Sequence, residues 1–156
     1  MCDYSLMGVP SRLAREGEEL IVHTFTTGSK GMVSPAELIA SQERPNAAFW
    51  ETLKSLFRAP EQRTVGAVCL PPGTRLILHD IPSDLQISMD VRPVENVTFT
   101  QLDVMENRHR DAVRFGNGSE LLLQWLADGQ RFTVVDLDSD GANDLPQDNY
   151  GQVARF

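Results

Sequence analysis

The chain has little of several residue types that mark particular classes of protein. It contains only two lysines, Lys30 and Lys54, and its 14 basic residues stand against 22 acidic ones, a net charge of −8. An acidic protein without a basic strip repels phosphate backbones and anionic membranes. Moreover, no apolar run approaches the roughly 20 residues of a membrane span. These scarcities argue against a general nucleic-acid binder and against a membrane protein.

Cysteine is equally scarce. Cys2 and Cys69 are the only two in the chain, and they form neither a metal-ligand spacing nor a disulfide framework. The first residues, MCDYSLMGVP, have an acidic third position and no apolar run, so they are not a secretory signal. The sequence therefore predicts a soluble cytoplasmic protein with reduced thiols, in which Cys69 is an inert thiol of the core.

The strongest local signals lie in the segment from Asp111 to Leu137. Its two turns, Gly116–Ser119 and Ala127–Gln130, contain the Asn-Gly and Asp-Gly pairs that favour tight turns between strands. We interpret the segment as an antiparallel meander of three strands. Three of its apolar residues are predicted to share one face: Leu121, Leu123 and Trp125.

Other strand patterns precede this segment and recur every 8–12 residues after Thr64, a spacing typical of a sandwich or small barrel. These predicted strands cover residues 18–25, 64–70, 75–81 and 97–105. Residues 85–91 are ambiguous. Their apolar positions alternate as in a strand, whereas Ser83 with Gln86 fits the capping box of a helix.

A helical block separates the first strand from the others. Ser34 and Pro35 favour a helix start, and residues 46–58 have apolar positions at the spacing of an amphipathic helix. Trp50 lies beside that apolar stripe, where it covers the sheet edge or marks a partner surface. The expected fold is mainly β (α+β), a small antiparallel β-barrel or sandwich with a helical insertion at about residues 34–58.

The predicted domain organisation is simple. Residues 1–137 form a single β-rich domain with the helical block as a cap. Residues 138–156 form an acidic loop and a weakly ordered C-terminal tail, because strand signals fade after Leu137.

One segment has the spacing of a calcium loop. Its carboxylates are Asp136, Asp138, Asp140 and Asp144. With Gly141 at the sixth position, the carboxylates can wrap a hard cation that takes six to eight oxygens. However, Gln147 occupies the twelfth position, where a calcium loop has a bidentate Glu. In addition, a strand and not a helix precedes the loop. The alternative is a solvated acidic turn.

Cys2 is a candidate nucleophile. Removal of Met1 would expose Cys2 as the first residue, and a thiol beside its own α-amine can act as nucleophile and base together. The sequence contains no motif that indicates the oxyanion hole or substrate pocket that such an enzyme needs. The alternative interpretation is a small apolar residue at the start of the chain.

Histidines and arginines give weaker signals. The three histidines, His23, His79 and His109, are isolated from one another in the sequence and are interpreted as rim or core residues. Arg108 and Arg110 flank His109 in a short basic cluster that suits a phosphate or carboxylate. Glu106 and Asp111 border this cluster, so a self-neutralised loop is the other interpretation.

Three strings resemble a group of small bacterial proteins that begin with MCDYSL. They are MCDYSLMGVPSRLA, VCLPPGTRLILHDIP and VTFTQLDVMENRHRDAVRFGNGSELLLQWL. The resemblance covers most of the chain as far as about Leu137. It carries no assigned chemistry, so it transfers no functional residue and implies only a bacterial origin.

The leading functional hypothesis is a non-catalytic cytoplasmic β-barrel module that binds a protein partner or a small ligand. It assigns no catalytic, cofactor-binding or metal-ligating residue, and it expects no cofactor, nucleic acid or membrane. The protein is expected to be a monomer or homodimer. Two alternatives stay open: a thiol enzyme that uses Cys2, and a calcium binder that uses the loop starting at Asp136.

Overall fold

The computed structural model describes Leu6 and residues 8–42, 65–102 and 109–137. This part of the chain contains nine strands and two α-helices. In order, they are β1 (Ser11–Leu13), β2 (Glu19–Thr24), β3 (Lys30–Val33), α1 (Pro35–Gln42), β4 (Ala67–Cys69), β5 (Arg75–Leu78), α2 (Ser83–Met89), β6 (Glu95–Gln101), β7 (Asp111–Phe115), β8 (Glu120–Leu122) and β9 (Arg131–Asp136). A 3₁₀ helix, Leu123–Trp125, follows β8. The prediction of a mainly β fold is confirmed.

All nine strands belong to one sheet, in the order β1-β4-β3-β2-β9-β5-β6-β7-β8. Neighbouring strands run antiparallel except β1 and β4, which pair in parallel. The predicted antiparallel sheet is thus confirmed in its main part. The sheet is open, with β1 and β8 at its edges, and is not a closed barrel.

The larger hydrophobic cluster covers one face of the sheet. Successive strand residues point to opposite faces, so alternate apolar residues of β2, β5, β6, β7 and β9 reach the same core. Its strand residues include Leu20, Val22, Leu76, Leu78, Val97, Phe99, Val113, Phe115, Phe132 and Val134. Each fully buried side chain of this size contributes about 1.5–3 kcal/mol, so this alternation is the main source of stability.

A smaller cluster lies on the opposite face of β2, β3 and β4. Ile21 of β2 and Val33 of β3 are cross-strand partners, so both point to this face. Val33 packs with Leu6 and Phe25, and Leu38 of α1 packs against them. The helix α1 therefore covers the second face of this half of the sheet, and its start at Pro35 is as predicted.

The predicted meander from Asp111 to Leu137 is only half correct. Strands β7 and β8 form the expected hairpin, and the turn between them uses Gly118 at φ +86°, a conformation that glycine adopts without strain. Strand β9, however, pairs with β2 and β5 instead of β8.

Contacts of the preceding turn explain why β9 does not pair with β8. The turn at Ala127–Gln130 docks on β2: the Gly129 N–H donates to the Val22 carbonyl at 2.8 Å, and the Thr24 hydroxyl donates to Asp128 Oδ1 at 2.7 Å. These bonds direct the chain to the middle of the sheet.

Trp125 is a second correction. Leu121 and Leu123 are buried as predicted, but Trp125 is 73% exposed. The strand ends at Leu122, and the 3₁₀ helix that follows has three residues per turn. The alternation of period two therefore stops before Trp125, and its indole does not share the face of the two leucines.

Most of residues 85–91, which the sequence left ambiguous, belong to a helix. Helix α2 has Pro82 at its N-cap without a side-chain hydrogen bond, so the predicted capping box does not form. Instead, the Gln86 side chain donates to the Ile81 carbonyl at 2.6 Å. Asp90, at φ 52°, ends the helix in the left-handed region.

Several sequence predictions remain outside the described part of the chain. These are the helix at 46–58 with Trp50 and the tail at 138–156. Strands β1 and β3 were not predicted. No helix among the described residues is both long and apolar enough to cross a lipid bilayer.

Candidate anion-binding groove

Three polar side chains form a row across three adjacent strands. Arg75 of β5 is the cross-strand partner of Thr98 of β6, and Thr98 is also the partner of Arg114 of β7. Direct partners lie on one face with Cβ atoms about 5 Å apart. Because Leu76, Val97 and Phe115 point into the core, the row lies on the opposite, solvent-facing side of the sheet.

Each arginine of the row is paired with a carboxylate on its outer side. Arg75 is paired with Asp136 of β9. Arg114 donates from Nε to Glu120 Oε1 of β8 at 2.9 Å, and its Nη2 lies 2.8 Å from the same oxygen. A guanidinium has five N–H donors in a fixed plane, so the two contacts with Glu120 also fix the orientation of the Arg114 guanidinium.

This row lines a surface groove of about 450 Å³. Asn96 and Gly116 lie along it, and Val135 adds an apolar wall that is 44% exposed. Val135 sits where the pairing of β5 with β9 shifts register, between Arg75↔Asp136 and Leu76↔Val134. Such a bulge re-aims side chains at functional sites, and here it brings an apolar side chain beside Arg75.

The chemistry of the groove is that of anion recognition. Guanidinium groups bind carboxylates and phosphates through paired, charge-assisted hydrogen bonds. The Thr98 hydroxyl lies between the two arginines, half-buried, and Asn96 is exposed beside it. The groove therefore offers an arginine on either side of a polar middle, with an apolar wall at Val135.

No protein family, curated protein or solved structure matches this chain. The function is therefore proposed from the residues of the groove.

Two other cavities are less informative. A void of about 10 Å³ inside the core, lined by Leu6, Met32 and Phe99 among others, has at most the space of one water molecule. A second surface groove of about 470 Å³ is lined by His23, Phe25, three threonines and residues 8–10 and 65. Its described lining contains no pair of cationic side chains, and two of its three chain segments, residues 8–10 and 65, adjoin undescribed residues.

The residues predicted from the calcium-loop spacing do not form a site within the described chain. Asp136 is the last residue of β9 and is paired with Arg75, so it belongs to the sheet instead of a loop. Asp138, Asp140 and Asp144 lie outside the described residues, as does Gln147. Among described residues, no three His, Cys, Asp or Glu side chains are placed to hold a metal ion.

Cys69 corrects the prediction about thiols. It is half-buried at the end of β4, and it is disulfide-bonded. The prediction of a reduced thiol at this position is therefore wrong. The only other cysteine of the chain is Cys2, which, with Met1, lies outside the described residues. The nucleophile hypothesis for Cys2 stays a prediction.

The structure does not bring the histidines together into one site. His23 packs edge-on against the ring of Phe25, with centroids 5.2 Å apart. His79 Nε2 is 2.8 Å from the Thr133 hydroxyl, and His109 precedes β7. Arg110 Nε donates to the Leu102 carbonyl at 3.2 Å. Arg108 and Glu106 are outside the described residues, so the basic cluster stays a prediction.

Sequence reasoning missed the arginine row because its members are far apart in the chain. Arg75, Thr98 and Arg114 each occupy an outward position of an ordinary amphipathic strand, which is typical of a solvated face. Only the strand order and register align them. The single available signal was that RLIL and VRF each place an arginine at an alternate position within an apolar strand.

Proposed function

We propose that the protein is a non-catalytic binding module that takes a small anionic ligand in the groove between Arg75 and Arg114. The observation that carries the proposal is the alignment of these two arginines with Thr98 in one cross-strand row. The non-catalytic part rests on the sequence, which contains no catalytic motif. Neither nucleic acid nor membrane is part of the proposal, because the chain has a net charge of −8.

The fixed sheet supports binding without a large conformational change. The row lies on β5, β6 and β7, whose inward residues are fully packed in the larger core. Sites on regular elements hold their side chains more accurately than sites on loops. The ligand thus meets donors whose backbone positions are already set.

The test is a thermal-shift titration with inorganic phosphate and with adipate. A ligand that binds only the folded state raises the melting temperature by mass action. We expect at least one of these anions to raise it, and Arg114→Gln to remove the increase. Absence of any shift with either anion at tens of millimolar, at constant ionic strength, contradicts the proposal.

Arg131 provides the matched control. Its side chain is 53% exposed, against 54% for Arg114, and it too is paired with a carboxylate, that of Asp80. It does not line the groove. Arg131→Gln therefore removes an equivalent charge and ion pair, and we expect the ligand-induced shift to be retained in this variant.

The proposal also includes a partly curled sheet in place of the closed barrel expected from the sequence. Gln124, just after β8, accepts a hydrogen bond from the Lys30 N–H of β3 at 3.1 Å, and Lys30 Nζ donates to the Leu126 carbonyl at 2.6 Å. These contacts support a sheet that curls until the chain beyond β8 meets β3. The ligand-binding row then lies on its outer surface.

Cellular location is tied to the state of Cys69. The sequence predicts the cytoplasm, where thiols are kept reduced, whereas a disulfide-bonded Cys69 fits an oxidising compartment. Cell fractionation, with free thiols alkylated before lysis, distinguishes the two. Alkylated Cys69 in the cytoplasmic fraction supports the first location, and unmodified Cys69 outside the cytoplasm supports the second.

The two alternative functions keep separate tests. Intact-mass spectrometry that shows retained Met1 removes the N-terminal-amine mechanism proposed for Cys2. A melting temperature unchanged by millimolar calcium rejects a useful site at the loop starting at Asp136. A monomer or homodimer is expected in solution, which sedimentation measures.

A further inference from the structure

The turn between β7 and β8 contains Asn117 followed by Gly118, the only Asn-Gly pair in the sequence. Both residues are exposed, and Gly118 has φ +86°. An asparagine that precedes glycine is chemically labile, because the glycine nitrogen attacks the side-chain amide carbon without a Cβ in its way. The turn therefore combines a reactive pair of residues with access to water.

The Asn117 side chain also connects this turn to helix α2. Its Nδ2 donates to the Met89 carbonyl at 2.8 Å and to the Asp90 carbonyl at 3.4 Å. Met89 is the last residue of α2, and Asp90 is its C-cap. The last carbonyl groups of a helix have no partner within the helix, and here one side-chain amide from the hairpin supplies that partner.

A carboxylate cannot replace the amide in this contact. An amide nitrogen donates hydrogen bonds, whereas an ionised carboxylate only accepts them. A negative charge is also unfavourable near the C-terminal end of a helix, and α2 has no basic residue in its last turn to offset it. Conversion of the Asn117 amide to a carboxylate therefore removes the donor and adds repulsion at the same place.

The hairpin has to open locally before the amide is attacked. In the closed turn the Gly118 N–H donates to the Phe115 carbonyl at 2.9 Å, which holds the glycine nitrogen in place. Strand β8, which follows the turn, has only three residues and lies at the edge of the sheet. Exposed segments of this kind open at a low cost in free energy, so the reaction does not need global unfolding.

We propose that Asn117 is a site of spontaneous deamidation, and that the carboxylate formed there releases the C-terminal end of α2 from the turn between β7 and β8. This inference goes beyond the anion-binding function and does not depend on it, because Asn117 does not line the groove.

The reaction needs only water as a co-reactant. The Gly118 nitrogen loses its proton to water or hydroxide and forms a bond to Cγ of Asn117, and the bond from Cγ to Nδ2 breaks as ammonia leaves. Water then opens the resulting succinimide ring at one of its two carbonyl carbons. Opening at one carbon gives aspartate, and opening at the other gives isoaspartate, whose backbone contains an additional methylene carbon. The net change converts an amide and water into a carboxylate and ammonium.

The experiment incubates the full-length chain at 37 °C at pH 6 and at pH 8, followed by proteolysis and mass spectrometry. We expect the peptide with Asn117 to gain one mass unit and to separate by chromatography into aspartate and isoaspartate forms. The gain should be faster at pH 8, because the attacking nitrogen has to lose its proton. Asn96 is the internal control: it is exposed, but the β-branched Val97 follows it within β6, so its amide should persist.

Two variants test the consequence for α2. Asn117→Asp supplies the aspartate product directly, and Asn117→Ala removes the donor without adding a charge. Both should increase hydrogen exchange at the Val91 amide, which donates to the Gln86 carbonyl of α2 at 3.1 Å, and Asn117→Asp should have the larger effect. Amides of β2 should keep the protection of the parent chain. If a variant fails to fold, the deamidated fraction of the incubated parent chain provides the same measurement.

The outcomes test both halves of the proposal. If the folded chain keeps its Asn117 amide for several weeks at pH 8 while the same residue deamidates in urea, the turn prevents the reaction and the proposal is overturned. Absence of deamidation in both conditions overturns it as well. Equal exchange at Val91 in the parent chain and in Asn117→Asp overturns the release of α2.

Discussion

Arg12 connects three parts of the chain through one guanidinium group. From β1 it donates to both carboxylate oxygens of Glu18, and its Nε donates to Glu37 of α1 at 2.8 Å. The hydrogen bond from Arg12 lowers the pKa of Glu18, with a further contribution from the Arg15 N–H at 3.0 Å and with burial opposing both. The Glu18 carboxylate therefore stabilises the folded state in its charged form.

The first prediction concerns pH. A carboxyl whose pKa is lower in the folded state binds fewer protons there, so its contribution is complete above its unfolded pKa of about 4.3 and is lost as the pH falls through the folded pKa. We expect Glu18→Gln to lower the free energy of unfolding by about 1–2 kcal/mol at neutral pH. The difference should shrink steadily below about pH 4.3. Urea denaturation at several pH values measures it.

Glu19 offers the control for this prediction. It is exposed on β2, so Glu19→Gln should leave the neutral-pH stability close to that of the parent chain. A Glu18→Gln variant whose stability difference from the parent is the same at pH 3 as at pH 7 contradicts the proposed role of the charged form.

The second prediction concerns Cys69. Because it is disulfide-bonded, reduction should lower the free energy of unfolding by about 2–4 kcal/mol. Mass spectrometry of the oxidised chain should show a mass two hydrogen atoms below that of the reduced chain for an intramolecular bond. Equal melting temperatures with and without reductant, together with quantitative thiol alkylation of the untreated protein, would falsify this prediction.

At the scale of elements, sequence patterns correctly predicted those strands, turns and helix starts that depend on neighbouring residues. Strand β2, the β7–β8 turn and the start of α1 follow from alternation, from an Asn-Gly pair and from Ser34-Pro35. The position of β9 does not follow from such patterns, because it depends on hydrogen bonds between residues about 100 positions apart, such as Thr24 with Asp128. The groove was unpredictable for the same reason, since it depends on register.

The third prediction separates backbone conformation from packing in the two turns. Gly129 has φ +83°, and an added Cβ would meet no heavy atom within 4 Å. A side chain there is strained by the left-handed backbone alone, so we expect Gly129→Ala to destabilise the fold by about 1–2 kcal/mol. Gly116 has equal space but no positive φ, so Gly116→Ala should change stability little.

Chemical denaturation of both variants measures the difference. The Gly129→Ala variant should also lose protection from hydrogen exchange at Val22, whose N–H bonds to the Gln130 carbonyl at 3.0 Å. Equal stabilities for the two glycine variants would show that the turn between β8 and β9 does not depend on its left-handed residue.

At the scale of the whole molecule, the two faces of the sheet have different roles. One face carries the larger core, and β9 lies in the middle of the sheet, between β2 and β5. The other face is covered by α1 only near β2, β3 and β4, and it presents the arginine row near β5, β6 and β7. The central strand β9 joins these halves, with Asp136 at its end paired to Arg75.

Anion binding between Arg75 and Arg114 is measured most directly by a two-dimensional NMR titration of isotope-labelled protein with adipate. We predict that the largest shifts occur at the backbone amides of Arg75, Thr98 and Arg114 and at the Nε–H groups of the two arginines. Amides of β2 and α1 should stay unchanged. Shifts centred on the groove at His23, or no shifts at saturating adipate and phosphate, contradict anion binding between the two arginines.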